Sequence, residues 1–78
     1  MEAAVVGRPD PIRDEVPVAF VVPAAGAALD ADELLAYCAQ RLAPAKRPAE
    51  VRLVDELPRT SVGKIKKYVL RREAGSAP

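Results

Sequence analysis

The stretch Pro58-Arg59-Thr60-Ser61-Val62-Gly63-Lys64 ends a short polar segment on a glycine and a lysine, a spacing with which a chain can offer a cation to a phosphate. A Walker-type loop needs glycine where Pro58 stands, so that backbone can approach the phosphate. It also needs Ser or Thr where Ile65 stands, to reach Mg²⁺. Both are missing, and a P-loop is excluded. What remains is Lys64 at the start of a helix expected from about Lys64 to Glu73. There the positive end of the helix dipole would repel its ammonium and favour an anion beside it. Pro58 and Gly63 would fix the entry and exit of the loop. The same residues also fit an ordinary helix start with no chemistry at all.

Other chemistries are ruled out by what the 78 residues lack. With no His and one Cys, the chain offers no Cys/His metal site, no His-dependent acid–base pair or triad and no internal disulfide. No metal ligand set is expected. Lysine, arginine or carboxylates must do whatever chemistry there is. Half the residues are hydrophobic, yet fifteen are Ala and ten Val, with no Trp, so the core is built of small and β-branched pieces. A net charge of +1 hides an asymmetry: residues 1–45 carry three basic and seven acidic side chains, and residues 46–72 nine basic and three acidic. The parts sit at −4 and +6, and any anion is met by the second.

The elements that must position Lys64 follow from periodicity and punctuation. Ala3 to Gly7 is an apolar run that the cluster Gly7-Arg8-Pro9-Asp10-Pro11 would close as a turn, and Val16 to Val22 is a second β-branched run. Asp30, with Glu33 three residues on, forms a capping-box pattern for a helix with Leu34, Leu35, Cys38 and Leu42 on its apolar face, stopped by Pro44. Cys38 on that stripe fits a buried small hydrophobe better than a reactive thiol. Glu50 to Asp55 alternates as a third strand, with Val51 and Leu53 on one face and Arg52 on the other. The last helix would pack on Ile65, Tyr68 and Val69, and the tail from Ala74 to Pro78 would fray. The expected fold is α+β, about three strands and two helices in the order β-β-α-β-α. Two amphipathic helices would cover only part of the surface of such a sheet.

In order and spacing, the segments Ala4-Val5-Val6-Gly7-Arg8-Pro9-Asp10, Val18-Ala19-Phe20-Val21-Val22, Asp32 to Cys38, Arg41 to Pro48 and Val54 to Ile65 resemble the C-terminal domain of AMP-forming acyl-CoA synthetases. These belong to the ANL adenylating superfamily, with luciferases and nonribosomal-peptide adenylation domains. The resemblance covers nearly all of residues 3–72, and the segment from Pro58 to Lys64 is its most specific part. It implies a lid domain over residues 3–73, without the family's hinge hairpin and first helix, and a tail over 74–78. Ala45 departs from the aromatic common at that place in the family.

The same resemblance implies a reaction in two steps: a carboxylate attacks the α-phosphate of ATP, and the thiol of coenzyme A then attacks the acyl-adenylate. Lys64 would be the catalytic lysine, carried on the motif loop of Pro58, Arg59, Thr60, Ser61 and Gly63. A rotation of the lid would then withdraw it and present another face to coenzyme A. Lys46, Arg47, Lys66 and Lys67, with Arg71 and Arg72, are candidates to face the phosphates of coenzyme A, and a solvated helix face or loop is the plainer reading of each. ATP with Mg²⁺ and coenzyme A are expected as substrates of a whole enzyme, none bound by this chain alone, and a large N-terminal adenylate-forming domain and a carboxylic acid are the expected partners.

Without that large domain no catalysis is expected. A stand-alone module that docks on a separate large domain, or forms a homo-oligomer through uncovered sheet surface, is the alternative. A nucleic-acid partner is not expected, because only Tyr68 interleaves the basic run. The apolar stretch from Val18 is broken by Pro23 and Gly26, well short of the about 20 residues that span a bilayer, and a cytoplasmic location is expected.

Overall fold

The computed structural model describes residues 2–26, 28 and 30–75. Strands β1 (Glu2–Asp10) and β2 (Asp14–Val22) form an antiparallel hairpin, helix α1 (Ala31–Arg41) crosses over, and β3 (Glu50–Leu53) joins β2 in parallel. A 3₁₀ turn (Pro44–Lys46) precedes β3, and helix α2 (Lys67–Ala74) closes the chain. The sheet order is β1-β2-β3. This is the α+β, β-β-α-β-α arrangement read from the sequence, with element ends that move.

Of the cluster expected to close β1 at Gly7, the residues from Gly7 to Asp10 lie inside the strand. Pro9 and Pro17 are tolerated because of where their missing N–H groups would point. The carbonyls of Pro17 and Val21 accept from Ala49 and Val54, at 2.7 and 2.9 Å. Odd-numbered residues of β2 therefore direct their backbone groups toward β3, and even-numbered ones toward β1. Pro17 pairs with Gly7 and Pro9 with Glu15, positions where no ladder bond between β1 and β2 is needed. The turn is Pro11 to Arg13 instead, pinned by the Asp10 carboxylate, which accepts from the N–H groups of Ile12 and Arg13 at 2.8 Å each. Those two bonds, that to Arg13 first, hold the Asp10 carboxyl below its usual range. Asp14 adopts φ 71° to let the second strand begin.

The two sheet faces carry separate cores. On one, Ala4, Val6, Val18 and Phe20 meet Leu57, Leu70 and Ala74 under α2. On the other, Ala19, Val21 and Val51 meet Ala31, Leu34 and Leu35 of α1, none of whose residues is fully buried. Helix α1 lies toward β3, so the β1 side of this face stays open: Ala3 is exposed and Val5 is 52% exposed.

Local reasons explain each remaining difference. The Asp30 carboxylate accepts from the N–H of Asp32 at 2.8 Å, so the cap is made one residue earlier than a capping box would make it. Helix α1 ends at Arg41 because Pro44 holds Ala43 extended, at φ −61° and ψ 149°. Leu42 is therefore an exposed C-cap and Cys38 is only half-buried. Strand β3 stops at Leu53, whose side chain is exposed, and Asp55 lies beyond it. Helix α2 starts at Lys67 and not at Lys64, since the Lys64 carbonyl and the Lys66 N–H are bonded back to Thr60 and Pro58. Its buried positions are Leu70 and Ala74, while Tyr68 is 58% exposed. Ala74, expected in a fraying tail, is thus the buried end of α2, and residues 76–78 lie outside the described residues.

Candidate functional site

Residues 58–66 form a small β-hairpin. Arg59 bridges Ile65 in antiparallel fashion, the Lys66 N–H donates to the Pro58 carbonyl at 2.8 Å, and the Thr60 N–H to that of Lys64 at 2.8 Å. The Gly63 N–H closes the turn onto the Thr60 carbonyl at 2.9 Å, and Gly63 has φ +88°. That is a type I turn followed by a left-handed residue, the usual three-residue hairpin connection with its G1 bulge. The last position of such a turn favours glycine. The Thr60 hydroxyl also accepts from the Lys64 N–H at 3.2 Å, and the Arg59 guanidinium donates to the Gly63 carbonyl at 2.8 Å while pairing with Glu2 of β1.

Lys64 therefore sits just past a braced turn and not at a helix N-terminus, which corrects the helix-dipole expectation. Alternation along the hairpin arm sends Ile65 onto the α2-side core and leaves Lys64 exposed. The other arm is anchored by Leu57, buried in that same core. The Lys64 ammonium makes no ion pair among the described residues, unlike the guanidinium groups of Arg8, Arg52 and Arg59. An exposed cation on a hydrogen-bonded hairpin can stabilise negative charge brought to it from outside, and no proton need move for it to act.

Pro58, Arg59, Thr60, Ser61, Gly63 and Lys64 all lie on this one hairpin, with Ser61 exposed at its turn. The more distant basic candidates are not gathered around them. Arg47 shares a cleft with Arg13, Pro44, Pro48 and Ala49, and its Nε donates to the Leu42 carbonyl at 2.7 Å. Lys46 borders an apolar groove between α1 and the sheet. Lys66 is the half-buried N-cap of α2, and Lys67, Arg71 and Arg72 are exposed along that helix.

Two features escaped the sequence reading. Arg13 reaches the Arg47 cleft only because the turn falls at residues 11–13, and the Asp10-Pro11 pair was the signal for that. Glu50 accepts from Arg8 at 2.5 Å and from Arg52 at 2.7 Å, while Arg52 also donates to the carbonyls of Glu73 and Ala74 at 2.7 and 3.4 Å. This ties β1, β3 and the end of α2 together, and nothing in the linear order announces it. The Arg52 hydrogen bond, ahead of the nearby positive charges, holds the Glu50 carboxyl below the usual carboxylate range.

The molecule is thus a three-stranded mixed sheet with a helix on each face, and the hairpin after β3 carries an exposed lysine without an ion pair among the described residues. The model of the AMP-binding enzyme C-terminal domain matches residues 1–64, and the chain belongs to that family, within the ANL adenylating superfamily. It is 51% identical over 92% of its length to the feruloyl-CoA synthase of an Amycolatopsis species, covering 15% of that protein. It is 50% identical over 90% of its length to the indoleacetate–CoA ligase of Aromatoleum aromaticum, covering 14% of it. Among solved structures, the ATP-bound MatB of Rhodopseudomonas palustris superposes with a TM-score of 0.86 at 38% identity, over 94% of this chain and 14% of MatB. The chain thus spans about one-seventh of the proteins it matches. No helix among the described residues is long and apolar enough to cross a membrane.

Proposed function

We propose that the chain acts as the lid of an AMP-forming acid–CoA ligase and that Lys64 supplies the cation for acyl-adenylate formation. The observation that carries this reading is the Lys64 ammonium itself: exposed, without an ion pair among the described residues, and held on a hairpin bonded on both sides. In the first half-reaction a carboxylate oxygen forms a bond to the α-phosphorus of ATP, the bond to the pyrophosphate oxygen breaks, and acyl-adenylate and pyrophosphate result. Two anions must approach for that. A fixed ammonium between them offsets their repulsion and the charge gathering on the α-phosphoryl oxygens. In the second, the sulfur of coenzyme A forms the thioester and AMP departs with the bonding electrons. Lys64 has no task there, and withdrawing the hairpin clears the acyl carbon for the thiol.

Lys46 and Arg47, with Arg13 beside Arg47, form the basic surface we assign to the phosphates of coenzyme A, whereas Lys66 and Lys67 stay with the hairpin and the first turn of α2. The Mg²⁺ expected with ATP finds no group of three or more His, Cys, Asp or Glu among the described residues that could hold it, and no step is assigned to it here. The acid pocket and the ATP site belong, on this reading, to a large domain against which the hairpin closes.

The test uses the complete ligase that carries this domain. Lys64→Ala should lower acyl-adenylate formation about 10²–10³-fold, the usual loss for one transition-state donor, and leave thioester formation from preformed acyl-adenylate within a few-fold of wild type. Equal loss in both half-reactions would show that the lysine supports the lid as a whole and not the first step.

A further inference from the structure

We infer, on the reading of Lys64 proposed above, that Arg59 is its positioning residue: the Arg59 guanidinium joins the Gly63 carbonyl of the hairpin to the Glu2 carboxylate of β1, and so fixes how the lysine stands on the sheet. The Gly63 carbonyl and the Lys64 N–H belong to one planar peptide unit. Its carbonyl accepts from Arg59 Nη1 at 2.8 Å, and its N–H donates to the Thr60 hydroxyl at 3.2 Å. Side chains of the first hairpin arm thus hold both ends of that peptide. The orientation of its plane is given by ψ of Gly63 and φ of Lys64, and with them goes the direction in which the Lys64 side chain leaves the backbone. Gly63, at φ +88°, is by residue type the freest point of the turn, so the bond falls where restraint is most needed.

The other half of the contact ties the turn to the body of the domain. By alternation Glu2 shares a face of β1 with Ala4 and Val6, which enter the α2-side core, and Leu57 and Ile65 anchor the two hairpin arms in that same core. Past those anchors, the Arg59 pair links the turn directly to β1. Two donors of one planar fork, Nη1 and Nη2, serve the two acceptors, so the angle between hairpin and strand is set as well as their separation. A lysine at this position would keep the charge and lose the fork. Arg59 and Glu2 are 41% and 53% exposed, so the pair adds little to stability, and its effect falls on geometry.

Two measurements test this. In the 78-residue chain, backbone relaxation by NMR should show the Gly63 and Lys64 amides more mobile in Arg59→Met and in Glu2→Ala, with those of Leu57, Ile65 and Leu70 unchanged and the urea midpoint nearly unmoved. In the complete ligase, Arg59→Met should lower kcat for acyl-adenylate formation about 10-fold at nearly constant KM for ATP, and leave thioester formation from preformed acyl-adenylate as in wild type. Glu2→Ala should act in the same direction, and the double variant should be no worse than Arg59→Met, since one contact cannot be lost twice. Arg59→Lys should recover only a minor part of the loss. If Arg59 acted on ATP by its own charge, Glu2→Ala would leave adenylation unchanged or raise it and Arg59→Lys would restore it, and either result overturns the proposal. So does equal loss in both half-reactions, or a hairpin whose amides stay as rigid as in wild type. Lys64→Ala separates the two readings. If it lowers adenylation while Arg59→Met does not, the positioning role alone fails, and if it spares adenylation, the role of Lys64 fails and that of Arg59 with it.

Discussion

Glu50 is the acceptor on which three elements converge. It stands on β3 beside Val18 of β2, accepts from Arg8 of β1, and shares Arg52 with the last carbonyls of α2. Those carbonyls lie in the last turn, where a helix runs out of intrahelical donors, and Arg52 adds a side-chain partner to them. The Glu50 carboxyl is held below its ordinary value by these donors, and the sign of the pH effect follows. A group depressed on folding contributes stability that is present above its unfolded pKa and lost as the pH falls through the folded one. Urea unfolding across acidic pH should therefore show wild-type stability dropping below the ordinary carboxylate range. Glu50→Gln should be less stable at neutral pH and show a shallower acid decline. Parallel declines in the two proteins would place the acid sensitivity elsewhere.

At the scale of the element, the hairpin is where sequence and structure part most instructively. The residues of the site were legible, since a Pro-bounded polar stretch ending in Gly-Lys stands out. Their local structure was not, because Gly63-Lys64 before an amphipathic basic run looks like a helix start until the backbone bonds of residues 58–66 are counted. Those bonds pair Pro58 with Lys66 and Thr60 with Lys64, across a distance in sequence that periodicity does not register. The strands were legible as β-branched runs, and the hairpin turn was misplaced because a proline inside a strand is judged by its N–H direction, which depends on the partner strand. The Glu50 cluster is tertiary throughout and left no local pattern to find. Gly63 turns the same point into a prediction. Beyond its two chain neighbours no atom lies within 4 Å of where a Cβ would stand, so Gly63→Ala meets no tertiary clash and its cost is that of the left-handed φ of +88°. That is about 1–2 kcal/mol, charged to the hairpin and not to the sheet. In the complete ligase, adenylation should fall while thioesterification and the urea midpoint of the domain change little. A midpoint loss as large as that of a core deletion would mean that the hairpin is part of the cooperative unit.

For the whole molecule, the two faces of the sheet differ in what they hold. Phe20, Val18 and Leu70, the largest fully buried side chains, all belong to the α2 side, whereas α1 buries none of its residues completely and leaves a groove beside Cys38. The chain is small, and at about 0.05–0.15 kcal/mol per residue a domain of this size has only some 4–12 kcal/mol to lose. Leu70 is 1% exposed and packs among Ala4, Val6, Val18, Phe20, Leu57 and Ala74, side chains that are mostly too short to refill the space it occupies. Removing it deletes transferred surface and leaves a cavity, together about 2–5 kcal/mol, and Leu70→Ala should unfold much of the chain at ambient temperature. Leu34→Ala, half-buried under α1, should lower the urea midpoint far less and act through local opening of that helix, with α1 amides exchanging faster while those of β2 and α2 keep their protection. Equal losses from the two substitutions would show a single core spanning both faces, and the lysine hairpin, anchored by Leu57 and Ile65 on the α2 side, would then depend on α1 as much as on α2.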